Sequence, residues 1–147
     1  MREILFRGKP YNSGLCYQHC PNGWMYGFYA KKGGASYITE VGKYASGKPY
    51  FLDSIVDPET VGQFTGMTDK SGKKIFEGDI VSIGGHIATV DGLYLVIYDT
   101  ANHCWALKRR SEYHHHYFTF SDLNGFADTS SVVGNIHDNP ELLEVRE

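Results

Sequence analysis

One stretch of the chain decides the fold: Val61-Gly62-Gln63-Phe64-Thr65-Gly66-Met67-Thr68-Asp69-Lys70-Ser71-Gly72-Lys73-Lys74-Ile75-Phe76-Glu77-Gly78-Asp79-Ile80-Val81-Ser82-Ile83. Short runs of aromatic and β-branched residues alternate here with turn-forming residues. Residues 68–73 contain the Asp and Gly of a polar reverse turn, and Glu77-Gly78-Asp79 forms a second turn before the strand at residues 80–83. This spacing predicts antiparallel hairpins rather than helices.

The same pattern extends in both directions from that stretch. Short strands are predicted at residues 4–7, 24–30, 36–40 and 50–56 before it, and at 86–90, 93–98, 104–108, 117–120 and 131–136 after it. Hairpin signals concentrate in the second half, which favours a small closed or nearly closed barrel because closure removes exposed strand edges. We therefore expect a mainly β protein with little helix. An N-terminal antiparallel β layer at residues 1–60 would pack on a barrel lobe at 61–147, or the two would form one integrated domain.

Length and charge limit the functions to be considered. The chain has 147 residues, of which 41% are hydrophobic, so it is long enough to bury a core and too short for a large multidomain enzyme. The net charge of −3 divides unevenly, since residues 1–110 carry +3 and residues 111–147 carry −6. This balance lowers the expectation of a general nucleic-acid-binding protein.

The sequence also bears on localisation. The first residues lack the apolar run of a secretory signal, and the longest apolar run, at residues 93–98, is far below the roughly 20 residues that span a bilayer. We expect a cytoplasmic protein without a membrane span. Its three cysteines would then be reduced and free.

Three segments resemble a known family. The first segment closely resembles the central signature of the YopX family of phage and prophage proteins. It covers residues 56–81, which are Val56-Asp57-Pro58-Glu59-Thr60 and the stretch quoted above as far as Val81. Arg2-Glu3-Ile4-Leu5-Phe6-Arg7-Gly8 is similar to the family's opening strand, and Val133-Gly134-Asn135-Ile136-His137-Asp138-Asn139-Pro140-Glu141-Leu142 to its closing motif. The resemblance implies an SH3-like barrel around residues 77–81 and a phage setting in a host cytoplasm. It implies no established activity.

Several residues of these motifs have a structural explanation. A glycine permits unusual backbone angles, and Asp or Asn side chains bond nearby backbone amides in turns. We expect structural roles for a set of six residues: Gly66, Gly78, Asp79, Gly134, Asn135 and Pro140. The alternative is that Glu77 and Asp79 act as paired carboxylates in a metal-dependent enzyme, which would need a third group nearby.

A zinc site is a second alternative. Cys16, His19 and Cys20 carry thiol and imidazole ligands of the type that zinc prefers, and His103-Cys104 offers a distant pair. One loose C-x3-C spacing is weak support, so we expect no metal and no cofactor. The competing interpretation is a solvent-facing loop.

Basic residues suggest a nucleic-acid alternative. Two groups, Lys70, Lys73 and Lys74 at the predicted hairpin tip and Lys108, Arg109 and Arg110, offer contacts to phosphates beside aromatic side chains. A lysine-rich hairpin is more often a solvated turn. Trp24, Trp105 and most of the phenylalanines are interpreted as core.

The function expected from these observations is binding. The sequence favours a non-enzymatic phage accessory protein that acts through a protein partner, with a homo-oligomer as a further expectation because exposed strand edges invite strand addition. Nucleic-acid binding and metal-dependent catalysis are the two alternatives.

Overall fold

Antiparallel strands make up most of the chain in the computed structural model. The structure describes residues 1–11, 20, 22–85, 90–110, 115–120 and 125–144. The chain divides into two compact units, Met1–Phe64 and Thr65–Glu147. The prediction of a mainly β protein with little helix is confirmed.

The first unit is one antiparallel sheet. Its strands are β1 (Phe6–Gly8), β2 (Met25–Lys32), β3 (Ala35–Lys43), β4 (Pro49–Val56) and the first part of β5 (Gly62–Thr68). They lie in the order β4-β3-β2-β1-β5. Both the β2–β3 and the β3–β4 connections are tight hairpins, as the Gly-rich and Ser-Gly segments between them lead one to expect.

One side of this sheet carries the unit's core. Met25, Ile38 and Val56 are at most 2% exposed and pack with Cys20. After β4 the chain makes a single 3-10 turn, Pro58–Thr60, and the amide of Glu59 donates to Asp57 Oδ1 at 3.0 Å. Asp57, followed by Pro58 at the start of the turn, therefore caps it.

The second unit is built around a five-stranded antiparallel sheet. Its strands are β7 (Asp79–Ile83), β8 (Gly92–Asp99), β9 (Cys104–Arg110), β10 (His115–Thr119) and β11 (Ser130–Asn135), in the order β10-β9-β8-β7-β11. The rest of β5 pairs with β6 (Lys74–Phe76) in the hairpin predicted at residues 68–73. A short helix, α1 (Phe126–Thr129), precedes β11, and a 3-10 turn, Pro140–Leu143, follows it.

The core of the second unit lies on one face of this sheet. Seven buried residues form it, namely Ile75, Val81, Ile83, Tyr94, Val96, Leu107 and Phe126. Strands β10 and β11 are the two ends of the strand order, so among the described residues this sheet does not close on itself. The expected closed barrel is therefore not confirmed, although antiparallel pairing of short strands is.

Two sequence predictions lie wholly or partly outside the described residues. The strand at 86–90 falls almost entirely on residues 86–89, and β7 pairs directly with β8 through Ile83 and Gly92. The segment 121–126, whose sequence is compatible with a short helix or a loop, is described only from residue 125 onward. No helix in the described ranges has the length and apolar character of a membrane span.

Candidate interaction surface

The side of the first sheet opposite its core carries large apolar side chains in solvent. Phe28 on β2, Val41 on β3, and Phe51 and Ile55 on β4 are 58%, 43%, 68% and 46% exposed. Successive side chains of a strand point to opposite faces of the sheet. These four side chains therefore lie on the face opposite to that of the buried Ile38 and Val56. We call these four side chains, with the strand surface between them, the exposed face.

Strand register brings the members of the exposed face together. Val41 lies directly opposite Phe51, and Ile55 lies opposite Tyr37. Phe28 lies opposite Thr39, which in turn is opposite Asp53. Directly opposed side chains have Cβ atoms about 5 Å apart, so Val41 adjoins Phe51, and the four apolar groups form a strip across three strands that includes the polar residues Thr39 and Asp53.

A polar pair interrupts the centre of this strip. Thr39 Oγ1 donates a hydrogen bond of 2.7 Å to Asp53 Oδ1. Both side chains belong to the exposed face by strand alternation, and Asp53 is exposed. A charged residue in the middle of a sheet face opposes uncontrolled aggregation and offers an acceptor to a ligand.

Lysines lie at both ends of the same three strands. Residues 25–56 carry Lys31, Lys32, Lys43 and Lys48 against two acidic residues, Glu40 and Asp53. All four lysines are exposed, and within the described residues none has a carboxylate partner. Lys32 and Lys43 share the exposed face, at its opposite ends.

Lys70 occupies a different and less basic setting. Its amide donates to the carbonyl of Ser130 at 3.1 Å, which attaches the β5–β6 hairpin to β11. It lines an open depression of 380 Å³ with Asp128 and the hydroxyl groups of Thr129 and Ser131.

The residues between Lys70 and Lys74 are organised by a buried carboxylate. Asp69 is 5% exposed, and its Oδ1 accepts the amides of Ser71 and Lys73, each at 2.9 Å. Its Oδ2 accepts the amide of Val132 at 2.9 Å. Burial raises the pKa of Asp69, but these three amides and the charge of Lys73 outweigh it, so the pKa lies below the usual value of 3.8.

The basic run on β9 does not form one surface. Neighbouring residues of a strand face opposite sides, so Lys108 is exposed while Arg109 points toward the core side of the sheet. Arg109 Nη1 donates to the carbonyl of Asp91 at 2.6 Å, and its guanidinium lies 5.7 Å from the Tyr94 ring. The side chain of Arg110 lies outside the described residues. Lys108 and Arg109 therefore lie on opposite sides of the sheet.

Lys108 is also remote from Lys70. The hairpin of Lys70 is bonded to β11, whereas Lys108 lies on β9, three strand positions away in the sheet order. At about 4.8 Å per strand this is about 14 Å along the sheet. Lys70 and Lys108 are therefore not on neighbouring strands.

The Glu77-Gly78-Asp79 turn is a structural junction. The amide of Phe76 donates to Asp79 Oδ2 at 2.8 Å, and Asp79 is only 2% exposed. Gly78 has φ of +86°, which favours glycine. Its amide donates to Val96 and its carbonyl accepts from Ile136, each at 2.9 Å.

The closing segment adopts a second self-bonded turn beside the first. Asn135 lies opposite Asp79 in the β7–β11 register. Its Oδ1 accepts the amides of His137 and Asp138 at 3.0 and 2.9 Å, and its Nδ2 donates to Asp138 Oδ2 at 2.9 Å. Pro140 then begins the final 3-10 turn.

Two glycines, Gly66 and Gly134, allow local irregularities in the strands near these turns. Gly66 has φ of +88° within β5, beside Thr65, whose Oγ1 donates to the carbonyl of Ile75 at 2.9 Å. At Gly134 the register with β7 shifts, and a Cβ atom would lie 2.5 Å from Asn139 Oδ1. Both positions therefore have a local steric or conformational reason to be glycine.

Of the three weak metal candidates, Cys20 alone lies among the described residues. Cys16 and His19 lie outside the described residues, whereas Cys20 is 3% exposed in the apolar cluster with Met25. Cys20 is thus a core residue and does not belong to a solvent-facing loop. Among the described residues no three His, Cys, Asp or Glu side chains lie close enough to hold a metal ion.

A family model decides what this chain is related to. The model described as YopX protein matches residues 25–144. The chain belongs to the YopX family. The match begins at β2 and includes β3 and β4, so the strands that carry the exposed face are part of the family region. It does not include residues 2–8, which resemble the family's opening strand.

One solved structure can be compared with this YopX-family chain. The crystal structure of protein EF1440 from Enterococcus faecalis has 20% sequence identity, and the alignment covers 98% of this chain and 100% of that chain. The TM-score of 0.39 is low. No curated protein matches the chain.

The exposed face was not predicted from the sequence. Most of the phenylalanines were expected in the core, and the sequence did not single out Phe28 and Phe51 as the exposed ones. The expectation holds for Phe64, Phe76 and Phe126, which are at most 7% exposed. The signal for Phe51 was its alternation with Leu52 and its place two residues before Asp53, since a charged residue on a strand face usually marks the solvent side.

A tyrosine–carboxylate pair lies at the β8–β9 hairpin of this YopX-family chain. Tyr117 donates its hydroxyl to Asp99 Oδ2, and Asn102 Nδ2 donates to the same oxygen at 2.6 Å. These bonds, that of Tyr117 first, lower the pKa of Asp99 to about 2. The same bond to Asp99 raises the pKa of Tyr117 to about 12.

Replacing Tyr117 by phenylalanine is expected to move the pKa of Asp99 from about 2 toward 3.8. The lowered pKa means that the Asp99 contribution favours folding above pH 3.8 and is lost as the pH falls toward 2. Carboxyl-carbon NMR titration measures the shift directly. Tyr98→Phe, at the neighbouring tyrosine that packs on Trp105, is the control and should leave Asp99 unchanged. An Asp99 pKa near 3.8 in the unmutated protein would contradict the assignment.

Proposed function

We propose that this chain is a phage- or prophage-encoded accessory protein that binds a protein partner in the host cytoplasm and performs no catalysis itself. The observation that carries the proposal is the exposed face, where Phe28, Val41, Phe51 and Ile55 lie together in solvent on three adjacent strands. Contiguous apolar side chains of this kind mark interaction sites more often than isolated ones do.

The size of the exposed face suits a binding surface. From the exposed fractions, its four apolar side chains present on the order of 400 Å². This is within the range of about 300–600 Å² for the largest patch of a typical monomer, which is often functional. It is about half of the roughly 800 Å² that each partner buries in a standard stable complex. The exposed face therefore suits a small or transient interface.

The bonds of Asp79, one of the two carboxylates that suggested catalysis, support a structural role, and those of the buried Asp69 are of the same kind. Asp79 holds the amide of Phe76, and Asp69 holds three amides across two segments. A carboxylate that accepts backbone amides is engaged in the fold and is less available as a general base. The non-enzymatic part of the proposal rests on these bonds.

We include an SH3-like barrel in the proposal for the second unit. Its support is the order β10-β9-β8-β7-β11, a four-strand meander with the last strand placed beside the first. The irregularity between Val132 and Gly134 would add the local bend that closure needs. Nuclear Overhauser contacts between β10 and β11 would support closure, and a full set of spectra without them would contradict it.

Nucleic-acid binding remains the alternative, with less support. Arg109 is engaged with Asp91 and Tyr94, and Lys70 lies beside Asp128. Phosphate binding would need several of these basic side chains to act together. Loss of binding at high salt would be the mark of this alternative.

Replacing Phe28 and Phe51 by threonine is expected to remove the partner while leaving the fold intact. Both side chains are more than half exposed, so the free energy of unfolding should change by about 0.5 kcal/mol or less for each substitution. Native mass spectrometry after purification from lysogenic host cells would compare the double variant with the unmutated protein. At least a tenfold lower occupancy by a defined protein is expected.

The control for this comparison is Val133→Thr. Val133 is 46% exposed on β11, so this variant also removes an exposed apolar side chain from a strand. It should retain the partner. Equal occupancy in all three proteins, or no defined protein with any of them, would contradict the proposed function.

A further inference from the structure

We propose that the exposed face binds one amphipathic α-helix of the partner, apolar along its middle and acidic at both ends. This inference rests on the proposed function and names the chemistry of the partner. Its basis is the shape of the exposed face, the uncompensated lysines at its ends and the carboxylate at its centre.

The dimensions of the exposed face fit one helix. Two strand spacings separate β2 from β4, which gives a width of about 10 Å. Ala35, opposite Lys32, and Lys43 are eight residues apart on β3, which gives a length of about 27 Å. A helix with its side chains is about 10–12 Å wide, and about 18 residues span that length.

Backbone chemistry favours a helix over an extended segment on this face. A strand laid flat on Phe28, Val41 and Phe51 would press its amides and carbonyls against apolar side chains. Buried backbone groups need partners, and only a helix supplies all of them within one segment. Strand addition would use the edge of the sheet and leave the exposed face uncovered.

The charges determine the expected pattern along the helix. Lys32 and Lys43 share the exposed face at opposite ends, and neither has a carboxylate partner among the described residues. Acidic side chains near both helix ends would pair with them. Asp53 at the centre keeps one oxygen beyond its bond to Thr39, which predicts a donor such as Lys, Arg, Asn or Gln at the middle of the helix.

The same features disfavour a second copy of this chain on this face. A symmetric face-to-face pair would bring Asp53 near its own copy and the end lysines near one another. The exposed apolar area is also only about half of what each partner buries in a standard stable dimer. A foreign acidic helix avoids the like-charge contacts, and the area of the exposed face suits the small interface that one helix makes.

A display selection tests the proposal. The probe is a library of 18-residue peptides that favour a helix. Each peptide has one apolar stripe, and its other positions are randomised among the charged and polar amino acids. The intact, untagged protein is the target, and Phe28→Thr with Phe51→Thr is used for counter-selection. Recovered peptides are expected to carry Asp or Glu near both ends, and their affinity should drop at least tenfold in the counter-selection variant.

Charge reversal provides the second measurement. Lys32→Glu with Lys43→Glu should weaken the recovered acidic peptides about tenfold at low salt, with a smaller difference at high salt because ions screen exposed charges. Lys108→Glu, at an exposed lysine of the second unit, is the control and should have no effect. No effect of the double reversal would overturn the charge assignment.

The remaining outcomes separate this inference from the proposed function. Recovered peptides that depend on Phe28 and Phe51 but carry basic ends, or are extended by circular dichroism, overturn the helix inference alone. The absence of any peptide that depends on the exposed face overturns the proposed function as well. A labelled 15-nucleotide thymidine strand that binds and is lost in the phenylalanine variant would assign the face to nucleic acid and overturn both.

Discussion

Replacing Asp69 by asparagine is expected to lower the free energy of unfolding by about 2–3 kcal/mol at pH 7. The carboxylate is buried and accepts three backbone amides, two within the β5–β6 hairpin and one on β11. An asparagine keeps one acceptor oxygen and places its NH₂ group against donors, so at least one amide loses its bond. Urea unfolding measures the difference, with Asp128→Asn as the control because Asp128 is exposed.

The Asp69 effect should depend on pH in a defined direction. Because the pKa of Asp69 in the folded protein lies below 3.8, its contribution is present above pH 3.8 and is lost as the pH falls through the folded value. The unmutated protein and the asparagine variant should therefore begin to converge in stability only as the pH falls below 3.8. A difference that stays constant from pH 7 to pH 2 would contradict the ionised, amide-bonded carboxylate.

Replacing Gly27 by alanine is expected to destabilise the first unit by about 3 kcal/mol or more. A Cβ atom at this position would lie 2.0 Å from the carbonyl oxygen of Thr39 and 2.6 Å from its carbon. Both are backbone atoms of the neighbouring strand, so β2 and β3 would have to separate. Thermal and urea unfolding would report the loss.

Gly84 provides the matched control for Gly27. A Cβ atom there meets nothing within 4 Å, and its φ is ordinary, so Gly84→Ala should be neutral or slightly stabilising. Equal stability of the two alanine variants would contradict the close approach of β2 and β3. Since these strands carry Phe28 and Val41, Gly27→Ala should also weaken partner binding.

The strands of the fold were predictable because they rely on local signals. The run at 50–56 became β4, and Asp57 with Pro58 became a capped turn, because turn chemistry acts over two or three residues. The β5–β6 hairpin was predictable for the same reason, since Asp69 and Gly72 belong to one reverse turn. Local signals do not predict the hydrogen bond from the amide of Val132 to Asp69, because these residues are 63 positions apart in the sequence.

The candidate site depended on information that the local pattern lacks. Apolar residues occupy both faces of β4, with Leu52 and Val56 on one side and Phe51 and Ile55 on the other, so alternation did not show which face is buried. Arg109 looked available beside Lys108 and Arg110, but its partner Asp91 lies 18 residues earlier and is reached through β8 and β9. Charge runs in a strand should be divided by face before they are interpreted as one patch.

Photo-crosslinking at the exposed face tests the central claim most directly. A benzophenone amino acid would replace Phe28, Phe51 or Val133, one at a time, in the protein expressed in lysogenic host cells. All three positions are exposed, so the probe itself should be tolerated. The account predicts that positions 28 and 51 crosslink to the same protein and that position 133 does not. Crosslinks of equal yield at all three positions, or at position 133 alone, would contradict the assignment of this face as the binding surface.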